Sequence, residues 1–201
     1  MIGKAELEAI ESFSQNTKDH QMTVIKNDGL HRHLRLQKAG TGAYLFDIIT
    51  WPGYLCFTGD MGTLVFKRLE DMFEFFRDDK SRINPSYWAE KVQAGVTKEY
   101  DKDHFEAYVQ DRFSSMQEGL SQDDADELWE ALQDDVISRN ETEYGALEAA
   151  RDFEFKDFRL TDFWEWDLKS WTFHYIWACL AIVWAIKVFD DLPDAKDEAQ
   201  L

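Results

Sequence analysis

Residues 44–66 read YLFDIITWPGYLCFTGDMGTLVF. Tyr44 to Trp51 is a strongly apolar strand, Pro52-Gly53 a turn, and Tyr54 to Thr58 a second strand. Gly59-Asp60-Met61-Gly62 turns the chain again, and Thr63 to Phe66 makes a further short strand. Such closely spaced turns join antiparallel neighbours, because parallel strands need crossovers of a dozen residues or more. Working toward the N-terminus, Leu30 to Gln37 alternates Leu34 and Leu36 against Arg35 and Gln37. The turn signal Asn27-Asp28-Gly29 links it to a β-rich stretch from His20 to Lys26, and Gly40-Thr41-Gly42 punctuates its other end. Leu7, Ile10 and Phe13 recur at helical spacing, with Glu6, Glu8 and Glu11 mostly outside, which predicts a first helix over 4–15.

Downstream of Phe66 the period becomes helical. Leu69, Met72, Phe73 and Phe76 share a face, and Asn84-Pro85-Ser86 starts a helix carrying Tyr87, Trp88 and Val92. Over 102–118, Phe105, Tyr108, Val109, Phe113 and Met116 line one side. Ser121 and Asp124 form a capping-box pattern before a helix with Leu128, Trp129, Leu132 and Val136 on its apolar face. A short helix is expected over 142–151, a late strand or extended loop over 153–163, a central helix over 168–190 and a tail over 191–201. The expected fold is α+β in a single domain. An N-terminal helix and an antiparallel sheet of four to five strands (1–100) pack with a helical C-terminal half (101–167) and a buried final helix.

Charge divides the chain differently. Residues 1–100 carry 14 acidic and 13 basic side chains, and residues 168–201 carry 5 and 3. Residues 101–167 carry 21 and 6, a net of −15 out of −18 for the whole chain. Like charges held close together destabilise a compact state, so a concentrated block asks for a reason. The block is rich in aromatics, from Phe105 to Trp166, and therefore reads as folded. A pI near 4.5 argues against direct binding of nucleic acid or anionic membrane, which need a basic surface, and favours a basic protein partner.

Two cysteines, Cys56 and Cys179, make no disulfide framework and suit a reducing compartment. Residues 1–13 lack the basic flank and apolar run of a signal peptide. The uncharged run from Trp171 to Ile186 is 16 residues long, short of the roughly 20 of a membrane span, contains His174 and is followed by Lys187. A core helix is the expectation, and the localisation expected is the cytoplasm.

No residue set carries a recognisable catalytic motif, and no cofactor, catalytic group or metal site is expected. His31 and His33 would share a strand face, with no third ligand at a recognisable spacing. Asp47 within an apolar strand is costly unless hydrogen-bonded. A site built from Asp47, Cys56, Asp60 and a histidine is one alternative, provided the fold brings nucleophile and base together. Phe163, Trp164, Trp166 and Trp171 could anchor an interface or pack beneath the last helix.

The acidic row carries the main expectation. Asp123, Asp126, Glu127, Glu130 and Asp134 repeat every three or four residues opposite the apolar face, with Asp103 and Asp111 as an extension on the preceding helix. Arg112 is the only basic residue between Lys102 and Arg139. Such a row also serves solubility. A regular array of carboxylates can in addition imitate a phosphate backbone and occupy a basic nucleic-acid channel, with a salt-dependent attraction.

The segments FDIITWPGYL (46–55), GDMGT (59–63), DMFEFFR (71–77) and INPSYW (83–88) resemble a family of uncharacterised proteins carried by tailed phages and prophages of enteric and related bacteria. The resemblance covers about residues 20–95, with a looser likeness in the C-terminal apolar helix. It implies expression in the bacterial cytoplasm during infection, and assigns no catalytic residues. The function expected is a phage-encoded, non-enzymatic inhibitor of a bacterial defence complex of anti-CRISPR or anti-restriction type. Its partner would be a basic nucleic-acid-binding protein or defence nuclease complex, with no direct nucleic-acid or membrane contact. A small enzyme or ligand-binding protein with a pocket near the sheet, and a structural or membrane-associated phage component, are the alternatives.

Overall fold

The computed structural model describes residues 4–78, 80–165 and 167–193. In chain order the elements begin with α1 (Lys4–Thr17), β1 (Gln21–Asp28), β2 (His31–Gln37), β3 (Phe46–Trp51), β4 (Tyr54–Gly59) and β5 (Gly62–Lys67). Next come α2 (Met72–Phe76), α3 (Pro85–Ala89), β6 (Val92–Ala94), β7 (Lys98–Tyr100), α4 (Lys102–Met116), α5 (Gln122–Asp135) and α6 (Glu143–Asp152). The chain closes with β8 (Glu154–Phe155), β9 (Phe158–Arg159), β10 (Lys169–Trp171) and α7 (Phe173–Asp190). The fold is α+β. It forms two compact units, one of residues 1–97 and 171–201, the other of residues 98–170.

In the first unit β1 to β6 form an antiparallel sheet in sequence order, as the short turns require. It has six strands where four or five were expected. The sixth, β6, is three residues long and lay within the helical pattern read from Asn84 onward. Gly59 is needed at the end of β4, where a Cβ would lie 2.1 Å from the Leu45 carbonyl oxygen.

One face of the sheet is dry. Leu34, Leu36, Phe46, Ile48, Leu55, Phe57, Leu64 and Phe66 point into it and meet α7. That helix buries eleven of its eighteen residues, which places it in the core, as its nearly all-round apolar sequence predicts. Its length and composition alone would allow a membrane span, but most of its surface is inside the protein. Trp177 is the hub, touching the rings of Phe13, Tyr44, Phe46 and Phe57 and donating its Nε1–H to Asn16 Oδ1 at 3.2 Å.

Helix α2 is only five residues, starting at Met72, so Leu69 lies outside it and is exposed. Its cap is Asp71, which accepts from the Phe73 amide at 2.9 Å. Asn84 caps α3 as its Asn-Pro-Ser signal predicts.

The second unit has its own core. Phe105, Tyr108 and Val109 of α4 pack with Leu128 and Leu132 of α5, Val136, and Ala146, Ala149 and Ala150 of α6. Ser121 caps α5, as expected, accepting from the Asp124 amide at 3.2 Å and donating its hydroxyl to the Asp124 carboxylate at 2.6 Å. The stretch 153–163 resolves into the two-residue strands β8 and β9, paired across a turn, then a 3-10 turn at Phe163–Glu165. The expected tail lies outside the described residues from 194 onward.

Candidate functional site: an acidic helical unit

The charge boundary and the structural boundary nearly coincide. Residues 98–170 hold 22 acidic and 8 basic side chains, a net of −14, whereas the rest of the chain has a net of −4. The block is therefore a folded unit with its own core, and its carboxylates are held on regular helices.

On α5 the residues buried in the core are Ala125, Leu128 and Leu132. At 100° per residue, Asp123, Asp126, Glu127, Glu130 and Asp134 fall within about 100° of one another on the opposite side. All five are exposed, as are Asp103 and Asp111 on α4. Five of the seven expected residues thus share one helix face, and the other two stand on a neighbouring helix, about two turns apart. Asp123, Asp126, Glu130 and Asp134 have no ion-pair partner among the described residues. Glu127 does have one: Lys156, in the turn between β8 and β9, reaches it at 3.1 Å and Asp124 at 2.6 Å. That pairing spans 29 and 32 residues and gave no sequence signal.

The row is costly for the helix that carries it. Like charges at i,i+3 and i,i+4 each destabilise by about 0.2–0.5 kcal/mol. Asp134 and Asp135 occupy the last turn, which has no basic residue, where a carboxylate opposes the macrodipole by about 0.3–1 kcal/mol. A face selected only for solubility would gain by alternating signs, and this one does not. From Asp123 to Asp134 the helix rises about 17 Å, so the five carboxylates are spaced by about 4 Å of rise on average, somewhat wider than the roughly 3.4 Å per phosphate along one DNA strand.

Between α4 and α5 runs a groove of about 370 Å³ lined by Gln110, Phe113, Ser114, Gln117, Gln122, Ala125, Asp126 and Trp129. The rings of Phe113 and Trp129 meet there at 4.9 Å.

The alternative site on the sheet is built differently. On the face away from α7, Arg35 of β2 opposes Asp47 of β3 and gives it two hydrogen bonds of 2.8 Å, while His33 Nε2 lies 3.0 Å from the same carboxylate. Burial pushes the Asp47 carboxyl up, but the bonds from Arg35 and His33 outweigh it and hold the pKa below its ordinary value. Its partners therefore occupy both oxygens. His33 pairs with Ile49, and Ile49 with Cys56, so two strand spacings, about 10 Å, separate the histidine from the thiol. Burial and the Asp47 charge raise the Cys56 pKa, which favours the unreactive thiol. Asp60 accepts the Tyr44 amide at 2.8 Å and fixes a turn. The fold thus brings Asp47 and His33 together; Cys56 is on the strand beside Asp47, near enough to feel its charge, but is two strands from His33, and Asp60 is committed to its turn. Among the described residues no three His, Cys, Asp or Glu side chains gather as a metal site would require, and His33 is already engaged with Asp47.

Of the aromatic candidates, Trp164 is exposed and packs edge-on against Phe163, while Trp171 joins the first unit's core against Tyr175. Trp166 lies outside the described residues. No family model, curated protein or solved structure matches the chain.

Proposed function

We propose that the protein is a non-enzymatic inhibitor whose acidic unit occupies the basic nucleic-acid channel of a partner protein. The observation that carries this reading is the exposed carboxylate row of α5. It sits on a unit with its own core, its charges follow one another at about 4 Å of rise against roughly 3.4 Å in a nucleic-acid strand, and it is kept at a cost to its helix. The carboxylates accept the guanidinium and ammonium groups that would otherwise hold phosphates, and ion release makes the association salt-dependent. Resemblance to tailed-phage proteins narrows the partner class to a bacterial defence nuclease complex, of restriction or CRISPR type, met in the host cytoplasm. The sheet supplies a scaffold in this reading. The saturated Asp47 network is the reason for preferring the acidic face over a pocket on the sheet.

The test is recovery of a partner from defence-expressing bacterial lysate with the tagged full chain, followed by competition with DNA on the recovered partner. The expected partner elutes with salt and loses its DNA when the protein is added. The triple reversal Asp123→Lys, Glu130→Lys, Asp134→Lys should abolish both effects while circular dichroism and the melting temperature hold. Undiminished binding by that variant, or a partner that salt does not release, would overturn the reading.

A further inference from the structure

The groove between α4 and α5 borders the acidic row but differs from it in chemistry. Two aromatic rings, Phe113 and Trp129, line it, together with three side-chain amides, Gln110, Gln117 and Gln122. One carboxylate, Asp126, belongs to both features. Gln122 Nε2 donates to Asp126 Oδ1 at 2.8 Å, which orients the carboxylate and leaves Oδ2 for another donor. No lysine or arginine lines the groove.

We propose that this groove receives an arginine side chain of the basic partner, an inference that rests on the acidic-face reading and names its anchor. A guanidinium is planar, is weakly hydrated and carries five donors in a fixed fork. It can lie against an indole or phenyl ring, donate to Asp126 Oδ2 and still offer N–H groups to the amide carbonyls of Gln110, Gln117 and Gln122. An ammonium is a compact, strongly hydrated charge that gains less from the rings and cannot span those acceptors. A cavity of about 370 Å³ has room for the side chain and some water. Interface energy concentrates where an arginine or aromatic group fills a pocket ringed by weaker contacts. The remaining α5 carboxylates are such a ring: they attract any cation and set the on-rate, while the groove discriminates between cations.

The experiment uses the full chain, isotope-labelled, with a short oligo-arginine peptide and an oligo-lysine peptide of equal length. Affinities are read by calorimetry, and the indole N–H of Trp129 is followed by NMR, assigned by its loss in Trp129→Phe. The expected result is tighter binding of the arginine peptide by about two- to fivefold. The Trp129 indole should move with that peptide and much less with the lysine peptide. Asp126→Asn should reduce the preference, and because that substitution is on an exposed helix face it tests the idea even if Trp129→Phe disturbs the core. Equal affinities, with the α5 amides shifting and the Trp129 indole still, would overturn the groove proposal and leave the acidic-face reading standing. Binding of neither peptide would overturn both.

Discussion

The buried acids of the sheet unit and the carboxylate row of α5 in the helical unit are handled in opposite ways. In the sheet unit, Asp47 and Asp71 each face an arginine in bidentate geometry, Asp47 with Arg35 and Asp71 with Arg32 at 2.9 and 3.0 Å. Their hydrogen-bonding capacity is spent on holding strands and a helix start in place. In the helical unit, four of the five carboxylates in the exposed row of α5 have no ion-pair partner among the described residues, the exception being Glu127 with Lys156, and the helix bears the repulsion. A carboxylate whose oxygens are satisfied inside the fold has nothing left for a partner, whereas one held rigidly in solvent has both oxygens to give. This contrast is the ground on which the proposed function is assigned to the α5 row, although the sheet contains the more conspicuous buried acid.

The largest expected effect comes from breaking the satisfied arrangement. Arg32 has a side chain only 13% exposed, also lies 4.5 Å above the Phe73 ring, and depends on Asp71 for neutralisation. Asp71→Ala removes that partner and the α2 cap together. The expected loss is about 3 kcal/mol of unfolding free energy, read by urea denaturation. Asp123→Ala on the exposed face should change stability by no more than about 0.5 kcal/mol. A similar loss at both sites would erase the distinction between the units.

Acid provides a graded version of the same comparison. Burial raises the Asp71 carboxyl, but the Arg32 pair and the Phe73 amide bond outweigh it, and the pKa lies below the ordinary 3.8, as it does for Asp47. A depressed folded pKa contributes stability that is fully present above the unfolded value and is lost as pH falls through the folded one. Stability should therefore decline as pH drops below 3.8, because the unfolded chain takes up protons that folded Asp47 and Asp71 refuse. The decline should be shallower in Asp71→Asn than in the parent. Parallel curves for the two proteins would show that Asp71 makes no such contribution.

What the sequence could reveal followed from how local each signal was. Strands β1 to β5 and helices α1, α4, α5, α6 and α7 declare themselves through their own periods and caps. The three-residue strands β6, β7 and β10 are too short to show a period and exist only because neighbouring chain pairs with them. The isolated Asp47 announces that it needs a partner. Which partner it finds depends on the β2–β3 register across the 38–45 connection, and that register is a tertiary fact. The acidic face of α5 is legible because it is a property of one helix. The groove beside it needs two helices packed together, so Gln110, Phe113 and Gln122 gave no sign of a site, although Asp126 marked its rim and Phe113 and Trp129 were legible as core-facing aromatics.

Lys156 is where the α5 row departs from its own pattern, and it gives the finest test of the contrast. Its ammonium draws on Asp124 and Glu127, and hydrogen bonds from it hold the Asp124 carboxyl below the ordinary range. Both acids are exposed enough that solvent screens the pair, so losing it should leave the melting temperature unchanged. Lys156→Gln would, however, return two carboxylates to the outer face. If the face works by displacing nucleic acid, this variant should bind its partner at least as tightly as the parent. The slope of log affinity against log salt should steepen by about one ion. The same substitution would weaken binding if the lysine itself touched the partner, and then the recognised surface would be the β8–β9 turn and not the carboxylate row. One substitution thus separates an electrostatic array from a contact epitope, because the two readings predict affinity changes of opposite sign.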